Sequence, residues 1–250
     1  MKIVICGALG KMGAKLREIA DKTEDVIPVC GVDKTAINLN GFKVYDDFDK
    51  ITEKADAVID FSSKSTLNAL LSYCLKTGTP AVLCSTGYDK EDIAAINKAS
   101  EKIAIFRSAN MSLGVNVLIE TVKFAAKRLY GFDIEIIEKH HNKKADAPSG
   151  TAVMIKDGIK EVFPEKTEVY GRCGIVGARD RNEIGIHAVR GGTIVGEHQV
   201  IFAGDNETLT FTHQAESRDV FAAGAIKAAR FIANKKQGLF DMKDLLAENA

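Results

Sequence analysis

Two histidines and three lysines lie within six consecutive residues, Lys139 to Lys144. Like charges at this density repel one another, so the cluster favours a bound anion over a purely structural role. Histidine transfers protons near neutral pH, lysine supplies a stronger cation, and the amides at the start of a following helix attract negative charge. The cluster therefore predicts a site that holds an anionic ligand and delivers a proton to it.

Two other interpretations of the cluster are open. Lysine-rich runs are usually solvated loops. His140, His141 and Asp146 are possible zinc ligands, although adjacent histidines point in different directions and the neighbouring lysines repel a cation. The anion site is favoured because a predicted strand before the cluster would support it rigidly, and a proline–serine pair after it would begin a helix. We therefore predict that the site holds no metal.

A second chemical pattern lies near the N-terminus, where Gly7, Gly10 and Gly13 stand between an apolar strand and a helical pattern. Glycine allows the tight turn and the close backbone approach to a pyrophosphate that dinucleotide-binding folds use. Asp33 ends the next predicted strand, where its carboxylate can accept hydrogen bonds from a ribose. A tight turn without a ligand is the alternative, but the strand, the helix and the acid together favour a nucleotide.

Charges near this loop bear on the choice of cofactor. Asp33 would repel the 2′-phosphate of NADPH, whereas Lys34 and Lys11 would attract it. We therefore predict that the protein uses NADH and tolerates NADPH. Two further segments, Cys84–Gly87 and Ser108–Met111, follow predicted strands at the edge where open α/β sheets bind ligands, although the same residue types also form ordinary turns.

Strands and helices alternate through the first half of the chain, which predicts a parallel sheet covered on both faces. From residue 113, a long helix and then several strands in succession predict a smaller α+β domain with a mixed sheet. The predicted fold class is thus α/β, with a Rossmann-like dinucleotide-binding domain over 1–112, completed by a C-terminal helical segment over 217–250, and a substrate-binding domain over 113–216. The predicted strands are 2–6, 26–32, 57–61, 80–84, 103–106, 133–138, 183–190, 193–203 and 207–213, and the predicted helices are 14–20, 64–76, 89–100, 113–129, 149–162 and 217–234.

The composition argues against several classes of function. The 250 residues include 34 Lys+Arg and 34 Asp+Glu, so the basic excess of a nucleic-acid-binding protein is missing. No apolar run has the length of a membrane span, and the apolar N-terminus is too short for a signal peptide. The 5 cysteines lack CxxC spacing, which argues against a disulfide framework and fits a cytoplasmic protein.

The run EIIEKHHNKKADAPSGTA, residues 135–152, resembles the signature of the dihydrodipicolinate reductase family, also called 4-hydroxy-tetrahydrodipicolinate reductases. The resemblance extends to the glycine loop and to the segments Ser85–Gly87, Ser108–Asn110, Arg190–Gly192 and His213–Arg218. It implies NAD(P)H-dependent reduction of a cyclic dicarboxylate, 4-hydroxy-tetrahydrodipicolinate, on the route to diaminopimelate and lysine. It also implies a homotetramer that is assembled through the sheet of the second domain.

Carried over residue by residue, the resemblance assigns roles to specific side chains. It implies that His140 is a proton donor or acceptor, that Lys144 is a second proton donor, and that His141 binds substrate. The Gly150 and Thr151 amides would bind a carboxylate. The implied cofactor contacts are Gly7, Ala8, Leu9, Gly10, Lys11, Met12, Asp33, Lys34, Cys84, Ser85, Thr86, Ser108, Ala109, Asn110 and Met111.

Some residues depart from this pattern or receive no role in it. The family commonly has glycine at the position of Cys84, so a Cβ there could crowd the cofactor. Asp146 and Pro148 are expected to shape the turn, and Lys139 and Lys143 are expected to be solvated and dispensable. Two functions of other classes stay open: a redox-sensing nucleotide-binding protein without catalysis, and a metal-dependent lyase that uses the histidines.

Overall fold

The computed structural model describes residues 1–248 and divides into two compact units. Unit 1 comprises Met1–Ser112 and the chain from Arg218 onward, and unit 2 comprises Leu113–Ser217. Ser217 was predicted to begin the terminal segment. It lies in unit 2 instead, and the terminal helix begins at Asp219.

Strands and helices of the described chain follow one another largely as the sequence predicts. The strands are β1 (Lys2–Cys6), β2 (Ile27–Val32), β3 (Ile37–Leu39), β4 (Phe42–Tyr45), β5 (Ala57–Asp60), β6 (Ala81–Leu83), β7 (Ala104–Arg107), β8 (Asp133–His140), β9 (Thr167–Tyr170), β10 (Glu183–Arg190), β11 (Gly196–Gly204), β12 (Glu207–Ala215) and β13 (Gly238–Phe240). The helices are α1 (Lys11–Asp21), α2 (Leu67–Thr77), α3 (Lys90–Ser100), α4 (Leu113–Arg128), α5 (Gly150–Val162), α6 (Asp219–Ile232) and α7 (Met242–Glu248), with 3₁₀ turns at Phe48–Lys50 and Lys64–Thr66. None of these helices is long and apolar enough to cross a membrane.

Unit 1 confirms the predicted Rossmann-like sheet. Its strand order is β13-β7-β6-β5-β1-β2-β4-β3, and every pair is parallel except β3 with β4. Both faces of the central strands are buried, because β1, β5 and β6 are apolar almost throughout. This arrangement brings the carboxyl ends of β1, β5, β6 and β7 to one edge, where the candidate cofactor residues begin.

Unit 2 confirms the predicted mixed sheet. The strand order is β12-β11-β8-β10-β9, with β8 parallel to β10 and antiparallel to β11. Ile134 and Ile136 face an apolar core that includes residues of α4 and α5. Strand β8 runs to His140 and does not end at Glu138 as predicted, so two members of the basic cluster belong to the sheet.

Several short elements were missed by the sequence analysis. The β3–β4 hairpin turns at Asn40 and Gly41, whose φ values of 52° and 97° suit the Asn-Gly signal for a type I′ turn. Strand β11 begins at Gly196 rather than at residue 193, because the preceding residues form a turn in which the Ile194 amide donates to Gly191. Strands β9 and β13 have only four and three residues. They form by pairing with β10 and β7, respectively.

Candidate active site

In unit 1, the glycine loop joins β1 to α1 with almost no room for side chains. Gly7 has a φ of 77°, and a Cβ there would lie 2.8 Å from the Phe61 carbonyl oxygen. A Cβ on Gly13 would overlap the carbonyl oxygen of Gly7. Gly10 is the N-cap of α1 and supplies no side-chain acceptor, so the first amides of the helix point into the loop and suit a phosphate.

Asp33 holds this loop in place. Its Oδ2 accepts the Leu9 amide at 2.8 Å, and its Oδ1 accepts the Lys34 amide at 2.8 Å. Leu9 and Lys34 line a cavity of about 770 Å³ together with Gly7, Gly10 and Asp33. The exposed Lys11 follows at the start of α1. A carboxylate placed at this cavity can still accept hydrogen bonds from ribose hydroxyls, since its two oxygens offer about four acceptor sites.

Ala8 plays a different part from its neighbours. It is fully buried, and its amide donates to the Val32 carbonyl, as the Gly7 amide does. Its side chain fills the space that Gly31 leaves open, because a Cβ on Gly31 would overlap it. Ala8 therefore joins the glycine loop to β2, and its side chain is part of the core.

The carboxyl ends of β6 and β7 border a second cavity of about 230 Å³ in unit 1. Its lining residues are Met12, Phe61, Cys84, Ala109, Asn110, Met111 and Phe221. Cys84 is half-buried in this wall, so its Cβ and thiol narrow the space that a glycine would leave. Burial raises the pKa of the Cys84 thiol well above its usual value, so the side chain that lines the cavity is a neutral thiol and not a thiolate.

The remaining predicted cofactor residues are used partly for the loops themselves. Ser85 is buried and its hydroxyl donates to Asp60 at 2.8 Å, whereas Thr86 is exposed. The Ser108 hydroxyl donates to the Asn110 carbonyl at 2.8 Å, and the Asn110 side chain accepts the Ser112 amide at 2.9 Å. These bonds stabilise the turns that carry the backbone toward the sheet edge.

In unit 2, the basic cluster is organised around a carboxylate, Glu138, which is fully buried. Arg190 donates to both of its oxygens at 2.7 Å, His140 Nδ1 lies 2.6 Å from Oε2, and the Ser149 amide donates to Oε1 at 3.0 Å. Burial raises the pKa of Glu138, but hydrogen bonds from Arg190 and His140 outweigh burial and hold the pKa below its ordinary value. Glu138 is therefore a charged acceptor at the centre of the cluster.

His140 is also bordered by a second imidazole. The ring of His198 lies edge-on to it, with centroids 5.2 Å apart, and His198 Nε2 lies 2.9 Å from the Ser149 hydroxyl. Burial, and then the charge of His140, lowers the pKa of His198 to about 4. His198 is therefore neutral at physiological pH.

Lys144 is held by the turn that follows the strand. Its Nζ lies 2.9 and 2.8 Å from the two oxygens of Asp146, and its amide donates to the His141 carbonyl at 3.1 Å. Arg190 donates to the Asp146 carbonyl at 2.8 Å, which ties the turn to β10. The hydrogen bond from Lys144 lowers the pKa of Asp146. Asp146 therefore shapes the turn, as predicted, and also pairs with a candidate proton donor.

Helix α5 begins directly after this turn. Ser149 is its N-cap, and the hydroxyl accepts the Ala152 amide at 3.2 Å. Gly150 and Thr151 are the first residues of the helix, where the backbone amides point toward its N-terminal end. Gly150 is exposed, and no atom lies within 4 Å of the place of a Cβ. The start of α5 is therefore suited to a carboxylate, which the helix dipole also favours.

The structure also shows how the other members of the cluster are placed. His141 Nδ1 is buried, and no described protein group forms a hydrogen bond with it. Lys143 is exposed. Lys139, which was predicted to be solvated, is partly exposed, and strand β8 aligns it with Glu197 on β11, with which it forms an ion pair of 2.6 Å. Within residues 1–248, no group of three or more His, Cys, Asp or Glu side chains is arranged to hold a metal ion.

Sequence reasoning gave no role to Glu138, Arg190, His198 or Asp60, although Glu138 and Arg190 lie in segments that carry the family resemblance. A signal for Glu138 was present, because it continues the inward-facing positions of Ile134 and Ile136. A charge in such a position requires a buried partner. The sequence does not identify that partner, since Arg190 comes 52 residues later.

Comparison with known proteins covers nearly the whole chain. The family model described as dihydrodipicolinate reductase, N-terminus, matches residues 1–111, and the model described as dihydrodipicolinate reductase, C-terminus, matches residues 114–246. A 4-hydroxy-tetrahydrodipicolinate reductase of Caldanaerobacter subterraneus subsp. tengcongensis is 53% identical over 247 residues, which cover 98% of each chain. One from Clostridium tetani is 47% identical over 248 residues, 98% of this chain and 97% of that one. The solved structure of dipicolinate-bound dihydrodipicolinate reductase from Paenisporosarcina sp. TG-14 has a TM-score of 0.82 at 24% identity, with 98% of each chain covered, and shares the fold.

Proposed function

Because the chain belongs to the dihydrodipicolinate reductase family, we propose that it reduces 4-hydroxy-tetrahydrodipicolinate to tetrahydrodipicolinate with NADH or NADPH, in lysine and diaminopimelate biosynthesis. One observation about the site carries the proposal. The Glu138–His140 pair, the Lys144–Asp146 pair and the start of α5 follow one another along a single stretch of unit 2. This stretch provides proton donors and anion-binding groups for a small dicarboxylate.

Unit 1 fits a dinucleotide cofactor. The tight turn at Gly7 and Gly13 needs glycine, because a Cβ at either position would meet backbone atoms. The amides at the start of α1 would hold the pyrophosphate, and Asp33 would accept hydrogen bonds from the adenosine ribose. When bound, the cofactor supplies the hydride. The segments at Cys84–Thr86 and Ser108–Met111 would border the nicotinamide end.

The reacting groups of the chain lie in unit 2. Reduction of an unsaturated ring places negative charge on the substrate, which must be stabilised and then quenched by a proton. His140 and Lys144 are the groups that stabilise this charge and deliver the proton. His141 and the amides of Gly150 and Thr151 hold the carboxylates, so the ring cannot turn away from the donors.

Assembly and location form part of the same proposal. We infer a homotetramer that is assembled through the unit 2 sheet, supported by exposed apolar side chains on β10 and on the loop before it. Val189 is 44% exposed, and Ile175 and Val176 are 106% and 57% exposed. All five cysteines are free, in keeping with a reducing cytoplasm.

The test is a coupled assay in which freshly generated substrate is mixed with the protein and each cofactor. We expect the reduced-nicotinamide absorbance to fall with NADH and, more slowly, with NADPH. No loss of absorbance with either cofactor would refute the reductase. A chelator should leave the rate unchanged, whereas a metal-dependent lyase would be inhibited.

Light scattering tests the proposed homotetramer. It should give the mass of four chains, and the mass of a monomer would contradict the assembly.

A further inference from the structure

We propose that Glu138 is a positioning residue for this reaction. Its buried carboxylate fixes the orientation of both the His140 imidazole, which donates a proton, and the start of helix α5, which binds a carboxylate of the substrate. The inference rests on the proposed function, because it concerns how the same site is held. Glu138 is fully buried on the inward face of β8. It cannot meet solvent, and its influence must pass through the groups that it binds.

The hydrogen bonds of Glu138 leave no acceptor site for a substrate. Oε2 accepts from Arg190 Nη1 and His140 Nδ1, and Oε1 accepts from Arg190 Nη2 and the Ser149 amide. A carboxylate offers about four acceptor sites, so all are occupied. The bidentate arginine also compensates the buried charge, which would otherwise be costly. Glu138 therefore does not act on the substrate directly.

The first group that Glu138 sets is His140. A hydrogen bond at Nδ1 to a carboxylate fixes the ring and places the proton of the neutral imidazole on Nδ1. Nε2 is then the nitrogen that exchanges a proton with a ligand. Gly196 on β11 leaves room beside this atom, because a Cβ there would lie 3.1 Å from Nε2. The sheet therefore presents Nε2, the nitrogen that takes up and releases the proton, in a defined direction.

The second group that Glu138 sets is the start of α5. The Ser149 amide donates to Oε1 at 3.0 Å, while the Ser149 hydroxyl caps the helix and contacts His198. Gly150 follows immediately, so the direction of its amide depends on where Ser149 is held. Loss of the carboxylate should therefore disturb both proton delivery and carboxylate binding. A residue that acts on His140 alone would change only the first.

The variant Glu138→Gln tests this dual role because it keeps the size of the side chain. An amide has only one oxygen, so its NH₂ group must face a donor that previously met a carboxylate oxygen. We expect kcat to fall by about 10²- to 10⁴-fold, the range of a misplaced general acid. We also expect KM for the dicarboxylate to rise while the Kd of the cofactor is unchanged. Folded Glu138→Gln with wild-type kcat and KM would overturn the proposal.

Strand β8 supplies a matched control. Glu135 lies on the opposite face and is also bound by arginines, Arg172 and Arg179, and by a histidine, with His187 Nε2 at 2.7 Å. Glu135→Gln makes the same chemical change outside the site, so kcat and KM should stay at wild-type values. An equal loss of kcat in both variants would mean that general disturbance of the sheet, and not positioning, is responsible.

A spectroscopic readout keeps the proposal testable if Glu138→Gln does not fold. Selective ¹⁵N-histidine labelling gives five rings, and the His140 signals are assigned by their loss in His140→Asn. In the wild-type protein, neutral His140 should carry its proton on Nδ1, and a proton on Nε2 would overturn the proposal. In folded Glu138→Gln this preference should be lost, and an unchanged tautomer would also overturn it. The wild-type spectrum needs no substrate, so it separates failure of this inference from failure of the reductase assignment.

Discussion

The ammonium of Lys144 lies 2.8 Å from the carboxylate of Asp146, two residues further along the same turn. Lys144 is mostly buried at 19% exposure, whereas Asp146 is 64% exposed. The pair limits the positions of the lysine side chain, because both carboxylate oxygens accept from its ammonium. A lysine held in this way suits the proton-donor role proposed for Lys144.

Replacing this lysine should therefore affect chemistry more than binding of the cofactor. For Lys144→Ala we expect kcat to fall by about 10²- to 10⁴-fold, as for the loss of a general acid, with little change in the Kd of NADH. Lys143→Ala is the control, since Lys143 is the exposed neighbour and should retain wild-type turnover. Near-normal kcat in Lys144→Ala would show that Lys144 is not the donor, and a large loss in Lys143→Ala would contradict its assignment as dispensable.

His141 should contribute to binding rather than to turnover. Its Nδ1 is buried, and the described protein atoms supply no hydrogen bond to it, so a substrate carboxylate is a suitable partner. Loss of one charge-assisted hydrogen bond costs about 1.5–3 kcal/mol, so His141→Ala should raise KM for the dicarboxylate by about tenfold or more. His187 lies on β10 and contacts Glu135 on the other face of the sheet, so His187→Ala should not change KM. Steady-state kinetics that leave KM unchanged in His141→Ala would remove its binding role.

Asp33 should discriminate between the two cofactors. It accepts the Leu9 and Lys34 amides and lines the larger cavity of unit 1. Removal of the carboxylate deletes a ribose acceptor and a charge that repels a 2′-phosphate. We expect Asp33→Ala to raise KM for NADH by about tenfold, the cost of one charged hydrogen bond, and to raise KM for NADPH less. Lys34→Ala should instead raise KM for NADPH more than KM for NADH. Equal changes in KM for both cofactors would show that these two charges do not select the cofactor.

The stability of the protein should depend on pH through His198. Burial and the charge of His140 lower the pKa of His198 in the folded state from 6.5 to about 4, and Lys144 and His213 act in the same direction, whereas Glu138 opposes them. The unfolded state therefore binds the additional proton between pH 6.5 and about 4. The contribution of His198 to the free energy of unfolding should be fully present above pH 6.5. This contribution, on the order of 3 kcal/mol, should be lost as the pH falls through this window.

Urea unfolding at a series of pH values measures this loss. The variant His198→Gln cannot take up the proton, so its free energy of unfolding should fall less steeply between pH 6.5 and about 4. Parallel curves for the wild type and the variant would show that another group causes the acid sensitivity.

Much of this organisation is readable from local patterns. The glycine spacing places a turn between β1 and α1, and alternation of apolar residues predicts β8. The Pro-Ser-Gly-Thr run predicts the start of α5, and the structure has Ser149 as its cap. Each of these features depends on neighbours within a few residues, where backbone sterics and helix capping act. The order of strands and helices then indicates the two sheets.

The connections within the candidate active site have a different origin. Glu138 meets Arg190 and Lys139 meets Glu197 because β8 lies between β10 and β11, although the partners are 52 and 58 residues apart. The alternation of buried positions along β8 shows that the charge of Glu138 needs a partner. It does not show which arginine or lysine of the chain is that partner. The sequence by itself determined the chemical groups of this protein and their local framework. Only the tertiary structure decided which groups touch, because strand pairing brings distant residues within hydrogen-bonding distance.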